Sequence, residues 1–176
     1  MKLGIVADSH GNLEYLKKAL EFLIRAEVDE LVHLGDDYED LDNLEIEVKL
    51  LRVPGVFSHL YKDPNIPNRV IKNYKSWRIL ITHTKEAHEN DLPQDIKPEV
   101  VTENKEVDIV LYAHTHIPNL ELSNNILWLN PGHLKKEDKK GFNASLGILE
   151  IEEDVVKAKI IELVSGKAIY RYELKK

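Results

Sequence analysis

Two hydrophobic rhythms share this chain. Residues 2–7 form a short apolar run ending in a polar turn, the pattern of a buried parallel strand. Between 12 and 26, Leu13, Leu16, Leu20, Leu23 and Ile24 share one stripe at the 3.6-residue period, which predicts a helix with Asn12 as its cap. Residues 30–35 read as a second strand, giving a strand–helix–strand unit whose crossover should be right-handed, and 48–53 as a third. A long irregular stretch over 54–68 carries Pro54, Gly55, Pro64 and Pro67; loops of that length are usually functional or disordered. Residues 69–74 and 77–82 read as strands paired through a tight turn, Pro98 opens a helix to about Glu106, and 107–113 is another buried strand. The last third changes rhythm, with short strands over 120–123, 126–129, 144–150, 155–163 and 168–174. A chain that starts as α/β and ends as a meander predicts two packed sheets with helices outside.

Composition narrows the function. The 176 residues are 43% hydrophobic and 31% charged, enough for a sizeable core in one domain over 1–176, and no repeat or linker divides them. There is no cysteine, hence no disulfide framework and no thiol nucleophile. A net charge of −7 argues against gripping nucleic acid by bulk charge. No apolar run approaches the roughly 20 residues a membrane span needs, and the run in MKLGIVADSH is too short for a signal peptide, so a cytoplasmic protein is expected.

The strand ends carry the chemistry. The first strand runs into Asp8 and His10, the second into Asp36, the 77–82 strand into His83, and the 107–113 strand into His114 and His116. Ligands of open α/β sheets sit beyond the carboxyl ends of the strands, so these side chains can converge on one crevice. The i, i+2 spacing of Asp8/His10 and of His114/His116 keeps each pair on one side of an extended segment. Singly, each reads equally well as a solvated or capping loop residue; the set at successive strand ends does not. Imidazole with carboxylate suits Mn, Fe, Zn or Ni better than an all-oxygen calcium cage.

Asp8-Ser9-His10, Gly35-Asp36, the lone His83 and Ala113-His114-Thr115-His116 resemble, in order, the signature blocks of calcineurin-like metallophosphoesterases. The chain is most similar to their small prokaryotic phosphodiesterase branch, which Asn130-Pro131-Gly132 also resembles. The resemblance implies a four-layer α/β/β/α sandwich and a metal-dependent phosphoesterase, hydrolysing phosphodiesters through water activated at a two-metal site. Carried over residue by residue, Asp8, His10 and His116 would hold one ion, His83 and His114 the other, and Asp36 would bridge. Mn is the first expectation for the two divalent ions, with Ni, Zn, Fe or Mg as alternatives. The expected partner is a phosphate ester, without membrane or nucleic acid, and self-association stays open.

The third block departs from the family pattern. In residues 52–59, RVPGVFSH, Gly55 matches, but Val56 stands where the family has a metal-binding Asn and Phe57 where many relatives carry a histidine acid. His59 could supply an imidazole as ligand or general acid. Asn65 or Asn68 could reach back as an oxygen ligand, and Asn68 and Arg69 are the candidate substrate contacts, Arg69 through bidentate phosphate binding. A rival reading keeps the fold and drops the chemistry: a protein-interaction module like the retromer subunit that resembles this family. Among the remaining residues, His33 reads as a core histidine, His88 as solvated, His133 as a residue of the crevice rim or of a turn, and Trp77 and Trp128 as packing residues. Lys135, Lys136, Lys139 and Lys140, interleaved with Glu137 and Asp138, read as a solvated loop.

Overall fold

Which way the strands run decides where side chains can meet. The computed structural model describes residues 1–42 and 44–176. One sheet has six strands in the order β11-β10-β9-β1-β2-β3, formed by Ala168–Lys175 (β11), Val155–Glu162 (β10), Ser145–Ile151 (β9), Lys2–Val6 (β1), Glu30–His33 (β2) and Lys49–Arg52 (β3). The other has five, β4-β5-β6-β8-β7, formed by Arg69–Tyr74 (β4), Trp77–Thr82 (β5), Ile109–Leu111 (β6), Ile126–Asn130 (β8) and Asn119–Ser123 (β7). β1, β2 and β3 run parallel in the first sheet, and β5, β6 and β8 in the second.

The two sheets face each other across one apolar layer. Leu3, Ile5, Val32, Leu149 and Ile160 of the first sheet pack against Trp77, Ile79, Ile81, Ile109, Leu111 and Leu129 of the second. Each such side chain contributes about 1.5–3 kcal/mol when fully buried. Trp77 keeps its indole N–H satisfied on the Glu152 carbonyl at 3.0 Å. Helix α1 (Leu13–Arg25) covers the outer face of the first sheet, with Leu16, Ala19 and Leu23 against Val6, Leu31, Leu146 and Ile148. Asn12 caps it by accepting from the Tyr15 N–H at 3.3 Å. Helix α2 (Pro98–Glu103) covers the outer face of the second sheet, Val101 lying in a cluster with Leu80, Val110, Tyr112 and Trp128. The layers are therefore α/β/β/α, an α/β fold of two mixed sheets.

Helix α2 is three residues shorter than the pattern predicts. It ends at Glu103 because Lys105 takes a left-handed conformation (φ 55°) and turns the chain into β6. The 54–68 stretch is irregular as expected, apart from one 3₁₀ turn at His59–Lys62.

His33 is a core histidine at the end of β2, fully buried, its Nδ1 accepting from the Gly35 N–H and its Nε2 without a partner among the described residues. Burial pushes its pKa down to about 4 from the ordinary 6.5. The native state therefore resists protonation that the unfolded chain accepts. Stability from this group is complete above pH 6.5 and is lost as pH falls towards 4, a change of about 3 kcal/mol. In urea titrations of chelator-treated protein, His33→Gln should flatten the loss of stability across that window; an unchanged slope would show that His33 does not titrate as its burial requires.

Candidate metal centre

All the parallel strands deliver their carboxyl ends to one edge of the sandwich, and hydrogen bonds sew the two sheets together there. The Asp8 N–H donates to the Gly35 carbonyl (3.0 Å), joining the ends of β1 and β2. The Ala113 N–H donates to the His83 carbonyl (3.0 Å), joining the ends of β5 and β6. Between the sheets, His83 Nδ1–H donates to the Leu34 carbonyl (2.8 Å) and the His114 N–H to Asp8 Oδ2 (3.1 Å).

Asp8, His10, Asp36 and His116 each direct a ligating atom into one space, all within 4.8 Å of one another. His10 Nε2 and His116 Nε2 lie 3.0 Å apart, and His10 Nε2 is 3.3 Å from Asp36 Oδ2. The other Asp36 oxygen, Oδ1, is 3.4 Å from His83 Nε2, which in turn lies 3.1 Å from His114 Nδ1. Asp36 thus stands between two groups of imidazoles, one oxygen facing each. The Leu34 carbonyl can only accept, so His83 carries its hydrogen on Nδ1 and turns the lone pair of Nε2 inward.

This arrangement suits divalent cations. Asp8 is fully buried, and its Oδ1 has no hydrogen-bond partner among the described residues. Burial and the nearby Asp36 carboxylate raise the Asp8 pKa well above the usual range. Burial pushes His83 down to about 4 and lowers His114 against the pull of Asp36, so both favour the neutral, ligating form. An unpartnered buried carboxylate oxygen beside neutral imidazoles is a donor set short of a cation.

The backbone is bent to make it. Asp8, His10, Asp36, His114 and His116 all have positive φ, between 48° and 70°. Each costs roughly 1 kcal/mol or more for a residue with a side chain, and such strain collects at functional sites. Gly35 and Gly55 let two of the loops cross: a β-carbon on Gly35 would stand 2.7 Å from His83 Nδ1, and one on Gly55 would overlap Asp36 Oδ1. Asp40 fixes the Asp8–Gly11 turn by accepting from Ser9 Oγ (2.7 Å) and the Gly11 N–H (3.1 Å). Asn130 fixes the His114–His116 turn, donating to the Ala113 carbonyl (3.1 Å) and to Thr115 Oγ1 (3.0 Å).

Other residues fall elsewhere than the sequence suggests. Asn68 and Arg69 are not available as substrate contacts. Arg69 is buried, with its guanidinium committed to Asp91 (2.8 and 3.0 Å), Thr82 and Thr84, and Asn68 donates to the Tyr61 carbonyl and Asp95. Asn65 bonds to Asp63 within its own turn. His133 is buried and satisfied at both nitrogens, by the Phe142 carbonyl and the Lys135 N–H. His59 stands on the rim of an open cleft of about 470 Å³ lined also by His10, Asp36, Asp37, Glu39, Phe57 and Ser58. Its side chain is 80% exposed, with Nε2 3.6 Å from Glu39 Oε1. Val56 is buried and offers no donor atom.

Asp138 is the residue the sequence does not announce. Its carboxylate, 3% exposed, accepts from His116 Nδ1–H at 2.7 Å and from Lys135 Nζ at 2.9 Å. Although burial acts the other way, these bonds and one from the Lys140 N–H hold it well below the usual carboxylate range. An ionised Asp138 fixes the His116 hydrogen on Nδ1 and leaves the Nε2 lone pair free to ligate, a pairing of carboxylate and histidine that metal sites use. One of two adjacent acids among four lysines reads as surface charge, so no local pattern could have found it.

Comparisons with known proteins give matches in sequence and in fold. The sequence model of the calcineurin-like phosphoesterase superfamily domain matches residues 1–154. A metallophosphoesterase of Methanocaldococcus jannaschii is 30% identical over 138 residues, covering 75% of this chain and 67% of that protein. A phosphodiesterase of the same organism is 30% identical over 148 residues, covering 75% and 83%. Among solved structures, vacuolar protein sorting 29 from Cryptosporidium parvum superposes with a TM-score of 0.75 at 20% identity, covering 99% of this chain and 98% of that one.

Removing the charge of Asp138 should loosen His116 without touching a ligand. In calorimetric titrations with Mn, Asp138→Asn should bind the tighter ion roughly 10–100-fold more weakly than wild type. An unchanged affinity would leave Asp138 a loop anchor only.

Proposed function

Since the chain belongs to the calcineurin-like phosphoesterase superfamily, we propose that it is a metal-dependent phosphodiesterase acting as one domain over 1–176. The observation that carries this reading is Asp36, with one oxygen towards His10 and the other towards His83. In this assignment Asp8, His10 and His116 would hold one divalent ion, His83 and His114 the other, and Asp36 would bridge them. Mn is the first choice for a mixed imidazole–carboxylate set, with Ni, Zn, Fe or Mg as alternatives. Ions bound there supply a Lewis acid for phosphoryl oxygens and lower the pKa of water, so no protein nucleophile is needed.

The chain's own residues supply the rest. Asp37 and Glu39 line the cleft beside His10 and Asp36. Their carboxylates repel a doubly charged monoester more strongly than a singly charged diester, which supports diesters as substrates. His59, exposed on the same rim, is assigned as proton donor to the departing oxygen. Among the described residues no helix is long and apolar enough to cross a membrane. The reading expects a cytoplasmic enzyme, and the net charge of −7 argues against nucleic acid as a partner.

A second reading rests on Val56. With no donor at that position, the His83/His114 side has fewer ligands than the Asp8/His10/His116 side. The fold is also that of vacuolar protein sorting 29. A protein-interaction module could keep the sandwich without turnover. Against it stands the strain at Asp8, His10, Asp36, His114 and His116, which a scaffold has no use for.

Hydrolysis of bis(p-nitrophenyl) phosphate against p-nitrophenyl phosphate, with Mn, Ni, Mg, Zn or no metal, separates the two. The expected outcome is metal-dependent diester turnover, faster than monoester turnover and lost in Asp36→Asn. Folded protein inactive with every metal would favour the interaction module. In titrations with Mn, the second ion should bind more weakly than the first; two equally tight sites would count against the asymmetric ligand set.

A further inference from the structure

His88 is held far more firmly than a solvated loop residue requires. Its backbone N–H donates to Asp91 Oδ2 at 3.0 Å. Asp91 is itself fixed by the buried Arg69 guanidinium and by Tyr61 Oη at 2.6 Å. The ring is held as well: it meets Phe57 edge-on, with centroids 5.9 Å apart at 86°, and lies 6.3 Å from the ring of His114.

The tautomer is set too. His88 Nδ1 accepts from the Asn90 N–H at 3.1 Å, and the Asn90 side chain donates to the Val56 carbonyl at 3.1 Å. A neutral imidazole that accepts at Nδ1 carries its hydrogen on Nε2. Among the described residues, that Nε2–H has no hydrogen-bond partner. The lone pair is already used, so His88 does not refill the ligand position left by Val56. What it offers is an N–H donor, half-buried beside a member of the metal centre.

We infer that His88 is a catalytic residue whose Nε2–H donates to a non-bridging oxygen of the phosphate ester, an inference that rests on the phosphoesterase reading above. Backbone, ring plane and tautomer are fixed before substrate arrives, so little reorganisation is left for the moment when negative charge builds on phosphorus-bound oxygens. Donors arranged in that way lower barriers more than mobile ones do.

The test compares wild type, His88→Ala and His88→Gln, all loaded with Mn, by calorimetric titration with inorganic phosphate and by turnover of bis(p-nitrophenyl) phosphate. His88→Ala should weaken phosphate roughly tenfold, the worth of one hydrogen bond to a charged group, and lower kcat by roughly 100-fold. His88→Gln, which keeps an N–H donor, should recover much of both, and the number of bound Mn ions should stay as in wild type. Unchanged phosphate affinity and turnover in His88→Ala would overturn the assignment. So would loss of one Mn, which would make His88 a ligand. A wild type that binds phosphate but does not turn over the diester refutes the hydrolase reading alone, and phosphate affinity then decides for or against His88 as donor. If His88→Ala does not fold, long-range ¹H–¹⁵N spectra of the wild type decide: an Nε2–H signal that shifts on adding phosphate supports the donor, and an Nδ1–H tautomer overturns it.

Discussion

Asp8 is a carboxylate buried where two sheets meet, with one oxygen tied to the backbone of His114 and the other left without a partner. Neither oxygen is spare. The first holds the end of β6 against the end of β1, so the two halves of the candidate ligand set depend on it for their spacing. The second faces the side where His10, Asp36 and His116 gather, and a carboxylate in that position is costly unless a cation or a proton neutralises it. The fold has organised itself around a charge that it does not itself complete.

The strain in the surrounding backbone has the same origin. A strand that ends in ordinary extended geometry carries successive side chains to opposite faces and disperses them. Left-handed turns at Asp8, His10, Asp36, His114 and His116 redirect each chain within one or two residues and bring the side chains inward. Such conformations persist only where neighbours over-determine them. Here those neighbours are named groups: Asp40 under the first turn, Asn130 and Asp138 around the His114–His116 turn, and the crossing of Gly35 with Gly55 beneath Asp36.

The buried Arg69 and the half-buried Asp91 show a different use of charge. Replacing such a pair by apolar side chains is often neutral or stabilising, so its presence argues for geometry rather than stability. The pair ties the first residue of β4 to the loop after His83, and Tyr61, Asn68 and Asn90 add bonds between the 54–68 stretch and that same loop. The consequence is local order in irregular chain. Val56 and Phe57, which depart from the family pattern, lie in a segment whose shape this junction sets.

Much of the fold was legible along the chain, because the forces that decide it are periodic or local. Apolar runs and one helical stripe give the strands and α1, Asn12 gives its start, and ligand residue types at successive strand ends point to a crevice before any tertiary contact is known. The meeting of Asp8, Asp36, His83 and His114 follows from parallel strands sharing one edge. Tertiary structure alone decided the rest. Asp138 orients His116 from 22 residues away, and Arg69 reaches Asp91 across another 22. His88 owes its setting to that second junction. These roles come from which loops touch, and loop contact depends on how two sheets pack. That packing leaves no periodicity in the sequence, so the same histidine, arginine or aspartate reads as surface until the fold buries it.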